Sequence, residues 1–367
     1  MTKTNFSSSR LFSLDVFRGI TMFLLMAEAA QVYNALTAYF PTGFGHAIVE
    51  QFHHHPWNGL RFWDLIQPFF MFIVGVAMPL SLRSRLKKGE SWNDAFRHIL
   101  FRCMMLFILG TGLHHIYSGK LVWELWNVLT QLSFTILVTF LLLNMSWKKQ
   151  LSVSLIFLLL TEIFYRIYDP SAPFVKDQNF GSWMDIVLMG KINDGGGWVT
   201  INCLPTAAHT IWGAMCGKLL LENKLPAEKL KLLAISGITC LVIGYGLDLV
   251  NITPIVKRIS TSSFVLASGG WCLLVLAFLY WFVDIKGYRK WTIFFAIVGM
   301  NSIFIYIFGE TIGVQWLGGF GKIFSHGIFG ALGFSVPMLN IINGFFVLGI
   351  MWYLCYFLYK KKIFIRI

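Results

Sequence analysis

Apolar runs long enough to cross a bilayer recur from one end of this chain to the other. Ten can be marked, at residues 12–36, 59–82, 97–117, 125–144, 150–167, 200–221, 230–250, 262–284, 291–311 and 336–359. At 1.5 Å rise per residue, each crosses or nearly crosses a hydrocarbon core about 30 Å thick. Of the 367 residues, 56% are hydrophobic and 13% charged, with a mean hydropathy of +0.66. A soluble domain of this size has too few polar residues to cover so much apolar surface. The sequence therefore predicts an all-α fold, a polytopic integral membrane helical bundle of about ten transmembrane helices, organised as a single transmembrane domain over residues 1–367.

An even number of crossings puts both termini on one side. With the termini in the cytoplasm, Arg83, Arg85, Lys87, Lys88 and Arg97 fall in an inner loop. Lys148, Lys149, Lys224, Lys229, Lys231, Lys286, Arg289, Lys290, Lys360, Lys361, Lys362 and Arg366 fall inside as well. In all, 22 of the 30 Lys and Arg residues lie on that side or at its helix ends. The positive-inside bias thus accounts for the net charge of +13 without nucleic acid as a partner.

The six cysteines all fall within the expected spans, and none forms a CxxC pair, so neither a zinc knuckle nor a disulfide frame is indicated. No cleavable signal peptide is expected, because the first apolar segment carries Asp15 and Arg18 in place of a clean apolar stretch. The longest segments between spans, about 37–58, 168–199 and 312–335, are expected outside the membrane on the far side. Two hold glycine runs, NDGGGW at 193–198 and WLGGFG at 316–321. The first lacks the preceding strand and following Lys-Ser/Thr of a phosphate-cradling loop. The inner loops are short and basic, so the chemistry is expected inside the bundle or at its rim.

Ionisable residues within spans are costly, which makes them functional candidates. Asp15 and Arg18 share one face of the first helix near its cytoplasmic end; they form either an interfacial ion pair or an anion site. Glu28 lies deeper in the same span, as a proton-handling group or a structural hydrogen-bond donor. Gln131, Asn202, His209, Asp248, Asn301, Ser302 and Glu310 add further polar positions, with His114 and His115 at the outer end of the third span. At the mouth of the second span stands HHHPWNG, residues 53–59, followed by Arg61 and Asp64. Adjacent side chains diverge, so at most two of His53, His54 and His55 would reach one ion; no metal is expected. A histidine base needs only an orienting neighbour and a desolvated pocket. Asp64 either pairs with Arg61 or fixes the tautomer of a histidine.

Two long motifs, SLDVFRGI and HHPWNGLRFWDLIQPFFMFIVG, resemble those of the transmembrane acyltransferases related to heparan-α-glucosaminide N-acetyltransferase. Shorter pieces agree: VTINC at 199–203, CGK at 216–218, VDIKG at 283–287, VGMNSIFIYIFGE at 298–310, and the terminal LYKKKIFIRI. The resemblance implies a helical bundle that takes acetyl-CoA from the cytoplasmic side and acetylates an amino sugar on the far side. It assigns the active-site histidine to His54, three residues before Trp57, and matches Asp64, Asp15, Arg18, Asn301, Ser302 and Glu310 to family positions. A family asparagine upstream of the histidine falls here near Ala29 and Ala30, with Glu28 the nearest polar residue. A family arginine is replaced by Gln131. The large N-terminal domain of the animal enzyme has no counterpart in the sequence, which suggests a compact bacterial relative in the inner (cytoplasmic) membrane.

The function expected on this basis is acetyl transfer from acetyl-CoA to a glucosamine-type amine. His54 serves as general base or transient acetyl carrier, Asp64 orients it, and Asn58 or Asn301 donates to the developing oxyanion. Asp15, Arg18, Asn301 and Ser302 are assigned to the acyl donor, and Glu28, Trp57, Asn202 and Glu310 to the acceptor. The bilayer and a small-molecule amino sugar are the expected partners, with self-association into a homodimer left open. Two alternatives stand beside this reading: a sugar permease using its intramembrane carboxylates, and an acyltransferase acting on a cell-envelope glycan.

Overall fold

The computed structural model describes residues 11–365, so Arg366, one of the terminal basic residues, lies outside the described residues. The fold is all-helical, and the only strand-like pairing among the described residues is one antiparallel bridge between Asn58 and Val256. Among the described residues, seven helices are long and apolar enough to cross a membrane: Phe62–Lys87, Trp92–Ser118, Trp147–Tyr168, Pro226–Leu249, Ser262–Ile285, Ser302–Ala331 and Val336–Lys360. The other expected spans are helical too, as Phe12–Ala29, Val128–Leu142, Cys203–Leu221 and the short Ile293–Met300. The protein is a polytopic helical membrane protein.

Two expectations need correcting. The first span was expected to run to residue 36, but it stops at Ala29, and Gln31 takes a left-handed conformation (φ 60°) before a short helix, Val32–Tyr39. The segment 312–335 was expected as an external loop, yet helix continues through π-helical Gly309–Leu317 and on through Gly318–Ala331. Glycine marks turns in water, where exposed backbone is hydrated. In a membrane helix the backbone must bond to itself, so an apolar segment stays helical through the WLGGFG run.

The described residues form two compact units, one of those up to Val32 together with those from Val275 onward, the other of Tyr33–Leu274. In the first, Phe12–Ala29 packs on Ile293–Met300 with backbones in contact. A Cβ on Gly19 would lie 1.9 Å from the Phe295 carbonyl oxygen, and one on Gly299 would lie 2.6 Å from that of Asp15. Without a hydrophobic drive between helices in lipid, such close backbone approach is what holds them. The Asp284 carboxylate accepts the free N–H groups of Phe12 (3.2 Å) and Ser13 (3.3 Å), capping the first helix where its dipole favours an anion.

In the larger unit, Ile66–Lys87 and Cys203–Leu221 cross in the same manner. A Cβ on Gly75 would sit 2.0 Å from the Thr210 carbonyl oxygen, and one on Gly213 would sit 2.1 Å from that of Phe72. Each helix starts directly after a short 3₁₀ turn, Phe62–Leu65 before one and Thr200–Asn202 before the other. Gln131, on Val128–Leu142, accepts from Gln67 at 2.5 Å and so ties that helix to Ile66–Lys87. His209 is fully buried and bonds Ser268 through Nε2 at 2.9 Å, while its Nδ1 is buried without a hydrogen-bond partner.

Candidate active site

The three histidines follow a short helix, Gly43–Glu50, and precede a tightly fixed turn. Trp57 anchors it by donating from Nε1 to the Phe174 carbonyl at 2.9 Å. Asn58 forms the bridge with Val256, and the Gly59 N–H donates to the Ile255 carbonyl at 2.8 Å. Gly59 has φ 142°, and any Cβ there would lie 2.6 Å from the His55 ring, so only glycine serves. The facing loop is held by its own side chains: Asp248 accepts the Ile255 N–H at 2.8 Å, and Thr261 accepts the Val256 N–H at 3.0 Å.

The rings of the triplet part company. His53 Nε2 bonds the Thr37 hydroxyl at 2.8 Å, His55 lies over Gly59, and His54 Nδ1 meets Asp64 Oδ1 at 2.9 Å. Asp64 is almost fully buried, and its other oxygen accepts the backbone N–H groups of Arg61 (2.9 Å) and His55 (3.2 Å). The choice between an Arg61 partner and a histidine partner is thereby resolved at the side-chain level. The Arg61 guanidinium pairs with Glu50 and donates to the His54 carbonyl at 3.1 Å, leaving the Asp64 carboxylate to the imidazole.

A third charge completes the cluster. The Lys257 ammonium lies 3.1 Å from His54 Nδ1 and 3.7 Å from Asp64 Oδ1, with its side chain only 6% exposed. It stands 5.3 Å from the Trp198 ring centre, and the Arg258 guanidinium stands 5.4 Å from the same ring. The Trp198 ring meets His54 edge-on at 5.4 Å. Arg258 also donates to the Gly196 carbonyl, and the buried Asn202 donates to the Arg258 carbonyl at 2.6 Å, so the floor of the site is cross-braced.

An ionised carboxylate only accepts, so the His54–Asp64 bond puts the imidazole proton on Nδ1 and leaves the Nε2 lone pair free. Lys257 cannot donate to a protonated Nδ1; it acts on the ring through its charge. Burial and then the Lys257 cation push the His54 pKa down to about 4, against the opposing pull of Asp64. His54 is therefore a neutral imidazole with an available nitrogen at physiological pH. Such a group takes up a proton or attacks an electrophile.

Five of the residues assigned from sequence to catalysis, donor or acceptor belong to the larger unit. His54 and Asp64 are in contact, Trp57 and Asn58 hold the turn beside them, and Asn202 braces the floor. The Asn58 side chain is exposed. Asp15, Arg18, Glu28, Asn301, Ser302 and Glu310 belong to the other unit. There Asp15 is buried in the first turn of its helix, and Glu310 lies in the first turn of the π-helical Gly309–Leu317. Asn301 breaks the helix before Ser302; its amide donates to the Ile363 carbonyl (3.1 Å) and accepts the Ile365 N–H (2.9 Å). Lys257, Arg258 and Trp198 were not foreseen. The available signal was a pair of adjacent basic residues on the side of the membrane expected to be poor in them.

A membrane-embedded helical protein carrying a desolvated His–Asp–Lys cluster is the class that fold and site define. Within that class the chain belongs to the family described as "Domain of unknown function (DUF5009)", whose model matches residues 10–211. It is also similar to the curated heparan-alpha-glucosaminide N-acetyltransferase of Homo sapiens, 24% identical over 369 residues, covering 82% of this chain and 53% of that protein. The protein of the same name from Mus musculus is 29% identical over 147 residues, covering 39% of this chain and 20% of its own length. The chain spans about half the length of the human relative and less of the mouse one.

Proposed function

We propose that this protein is a membrane-embedded N-acetyltransferase that moves an acetyl group from acetyl-CoA to the amine of an amino sugar of the glucosamine type. The single observation that carries this reading is the neutral His54, fixed by Asp64 and overseen by Lys257, in a chain similar to two N-acetyltransferases. Acetyl-CoA supplies the thioester. The amine nitrogen attacks its carbonyl carbon, a C–N bond forms, the C–S bond breaks, and the CoA thiolate leaves. His54 Nε2 takes the proton released by the amine and returns it to the thiolate. In a variant of this route Nε2 carries the acetyl group between the two partners. Asp64 keeps the ring in the required tautomer throughout, and Lys257 keeps it neutral between turnovers.

We assign Asp15, Arg18, Asn301 and Ser302 to the donor, and Glu28, Trp57, Asn202 and Glu310 to the acceptor, with Asn58 as an oxyanion donor. The orientation that fits the basic loops places both termini in the cytoplasm of a bacterial inner membrane, and the whole chain serves one acyltransferase domain. The deciding assay uses the purified protein with acetyl-CoA and glucosamine, following thiol release and N-acetylglucosamine together. Wild type should form both in equal amounts, and His54→Ala should form both about a hundredfold or more slowly. Uptake of labelled sugar into vesicles without acetyl-CoA would instead mark a permease.

A further inference from the structure

Of the motifs marked in the sequence, CGK at 216–218 has no place in the chemistry around His54. The helix Ile66–Lys87 starts two residues after Asp64 and runs for 22 residues. Its other end therefore lies about 33 Å away along the axis, roughly the thickness of a hydrocarbon core. Near that end Gly217 closes the crossing with Cys203–Leu221. A Cβ on Gly217 would lie 2.4 Å from the Val76 carbonyl oxygen and 2.6 Å from the Pro79 ring. Beside this contact is an open cavity of about 390 Å³, bordered by Pro79 and Lys218 and by Leu143 and Asn144 in the turn after Val128–Leu142.

Three cations line this cavity: Arg83, Lys87 and Lys218. Among the described residues no carboxylate lines it, and neither Arg83 nor Lys87 pairs with one, whereas Arg85 on the same helix is matched by Glu90 at 2.7 Å. Lys218 uses one of its three hydrogens on the Met145 carbonyl at 3.0 Å and has two left. The positive-inside bias explains basic loops, but it does not require cations from two helices to border one hollow free of acids. Most of the remaining wall is apolar. Leu82 and Leu143 are buried, while Leu86 is 47% exposed. A soluble anion would satisfy the cations and leave the leucine surface uncovered. A phospholipid meets both, with its phosphate among the cations and the start of its acyl chains on the leucines. Its headgroup must carry no ammonium, which would stand among three like charges.

We propose that Arg83, Lys87 and Lys218 form a binding site for one acidic phospholipid, a phosphodiester of the phosphatidylglycerol type, in the leaflet opposite His54. The site is separate from acetyl transfer, and its test reads binding, so it stands or falls without the proposed reaction.

Native mass spectrometry of the full-length protein in detergent, titrated with phosphatidylglycerol or phosphatidylethanolamine, measures the first lipid bound. Wild type should bind one phosphatidylglycerol at least about tenfold more tightly than phosphatidylethanolamine. Each cation near a membrane surface contributes roughly fivefold, so Lys218→Met should weaken that binding about fivefold, and Arg83→Gln with Lys87→Gln about 25-fold. Lys148→Gln with Lys149→Gln removes two exposed cations that do not line the cavity, and should leave binding within about twofold of wild type. Equal affinity for the two lipids, or an equal loss in the Lys148 and Lys149 variant, overturns the proposal. Should Lys218→Met fail to give a monodisperse protein, the exposed Arg83 and Lys87 pair decides alone. Displacement of the lipid by an equal concentration of coenzyme A or inorganic phosphate would make this a site for a soluble phosphate and also overturn the proposal; a lipid that stays bound upholds it.

Discussion

Replacing Lys257 by methionine isolates the electrostatic part of the site. The side chain keeps its length and its place beside Trp198 but loses the charge 3.1 Å from His54 Nδ1. The imidazolium charge is spread over its ring, so about 4 Å is a fair separation. Two unit charges at that distance interact by about 4 kcal/mol at an effective dielectric near 20, and by about 1 kcal/mol in bulk water. The His54 side chain is 34% exposed, which places this pair between the limits. A value of about 1.5–3 kcal/mol corresponds to roughly one to two pH units. Removing a cation favours the protonated ring, so the His54 pKa rises from its value of about 4. His54 works only when neutral, and its titration appears as the acid limb of the pH profile of kcat/KM. That limb should lie near pH 4 in wild type and move upward by roughly one to two pH units in Lys257→Met. Lys257→Arg should stay near the wild-type position. The acceptor ammonium adds its own limb at higher pH, common to all three proteins. An acid limb in Lys257→Met that stays put, or moves to lower pH, would refute the role given to Lys257.

Other substitutions test other links. His54→Ala should lower kcat by about 10²- to 10⁴-fold, the usual worth of a general base, whereas His53→Ala and His55→Ala should keep most of the activity; equal losses in all three would remove the special status of His54. Asp64→Asn offers the ring a neutral amide that donates as readily as it accepts, so kcat should fall about a hundredfold or more with little change in KM, read from initial rates. Gly213→Leu forces a side chain against the Phe72 carbonyl and should cost at least about 1–3 kcal/mol, seen as a lower melting temperature or loss of the monodisperse peak on size-exclusion chromatography.

The membrane class was legible because bilayer thickness acts on every span alike, and hydropathy records it directly. His54 and Asp64 were legible because ten residues of sequence join them and a long motif marks the place. Lys257 was not, since more than two hundred residues separate it from His54 and no local pattern links the two. The helical course of 312–331 was missed for a different reason. Glycine was weighed as it behaves in water, and the solvent there is lipid. The partition of Arg61 to Glu50 and of Asp64 to His54 also depended on three dimensions, because Arg61 lies as near to Asp64 in sequence as a helical pair would.

The bridge between Asn58 and Val256 has a consequence for biogenesis. It is the stitch that seats Lys257 against His54, and it joins segments made far apart in time during synthesis. Until the later segment arrives, His54 lacks the cation that suppresses its protonation. The reactive imidazole therefore matures late, when the helices between the two segments have been inserted. A nascent or misassembled chain holds His54 without its lysine neighbour, so the ring stays neutral over a narrower pH range until assembly is complete. The acid reach of the site becomes a readout of completed assembly, with no separate activation step required.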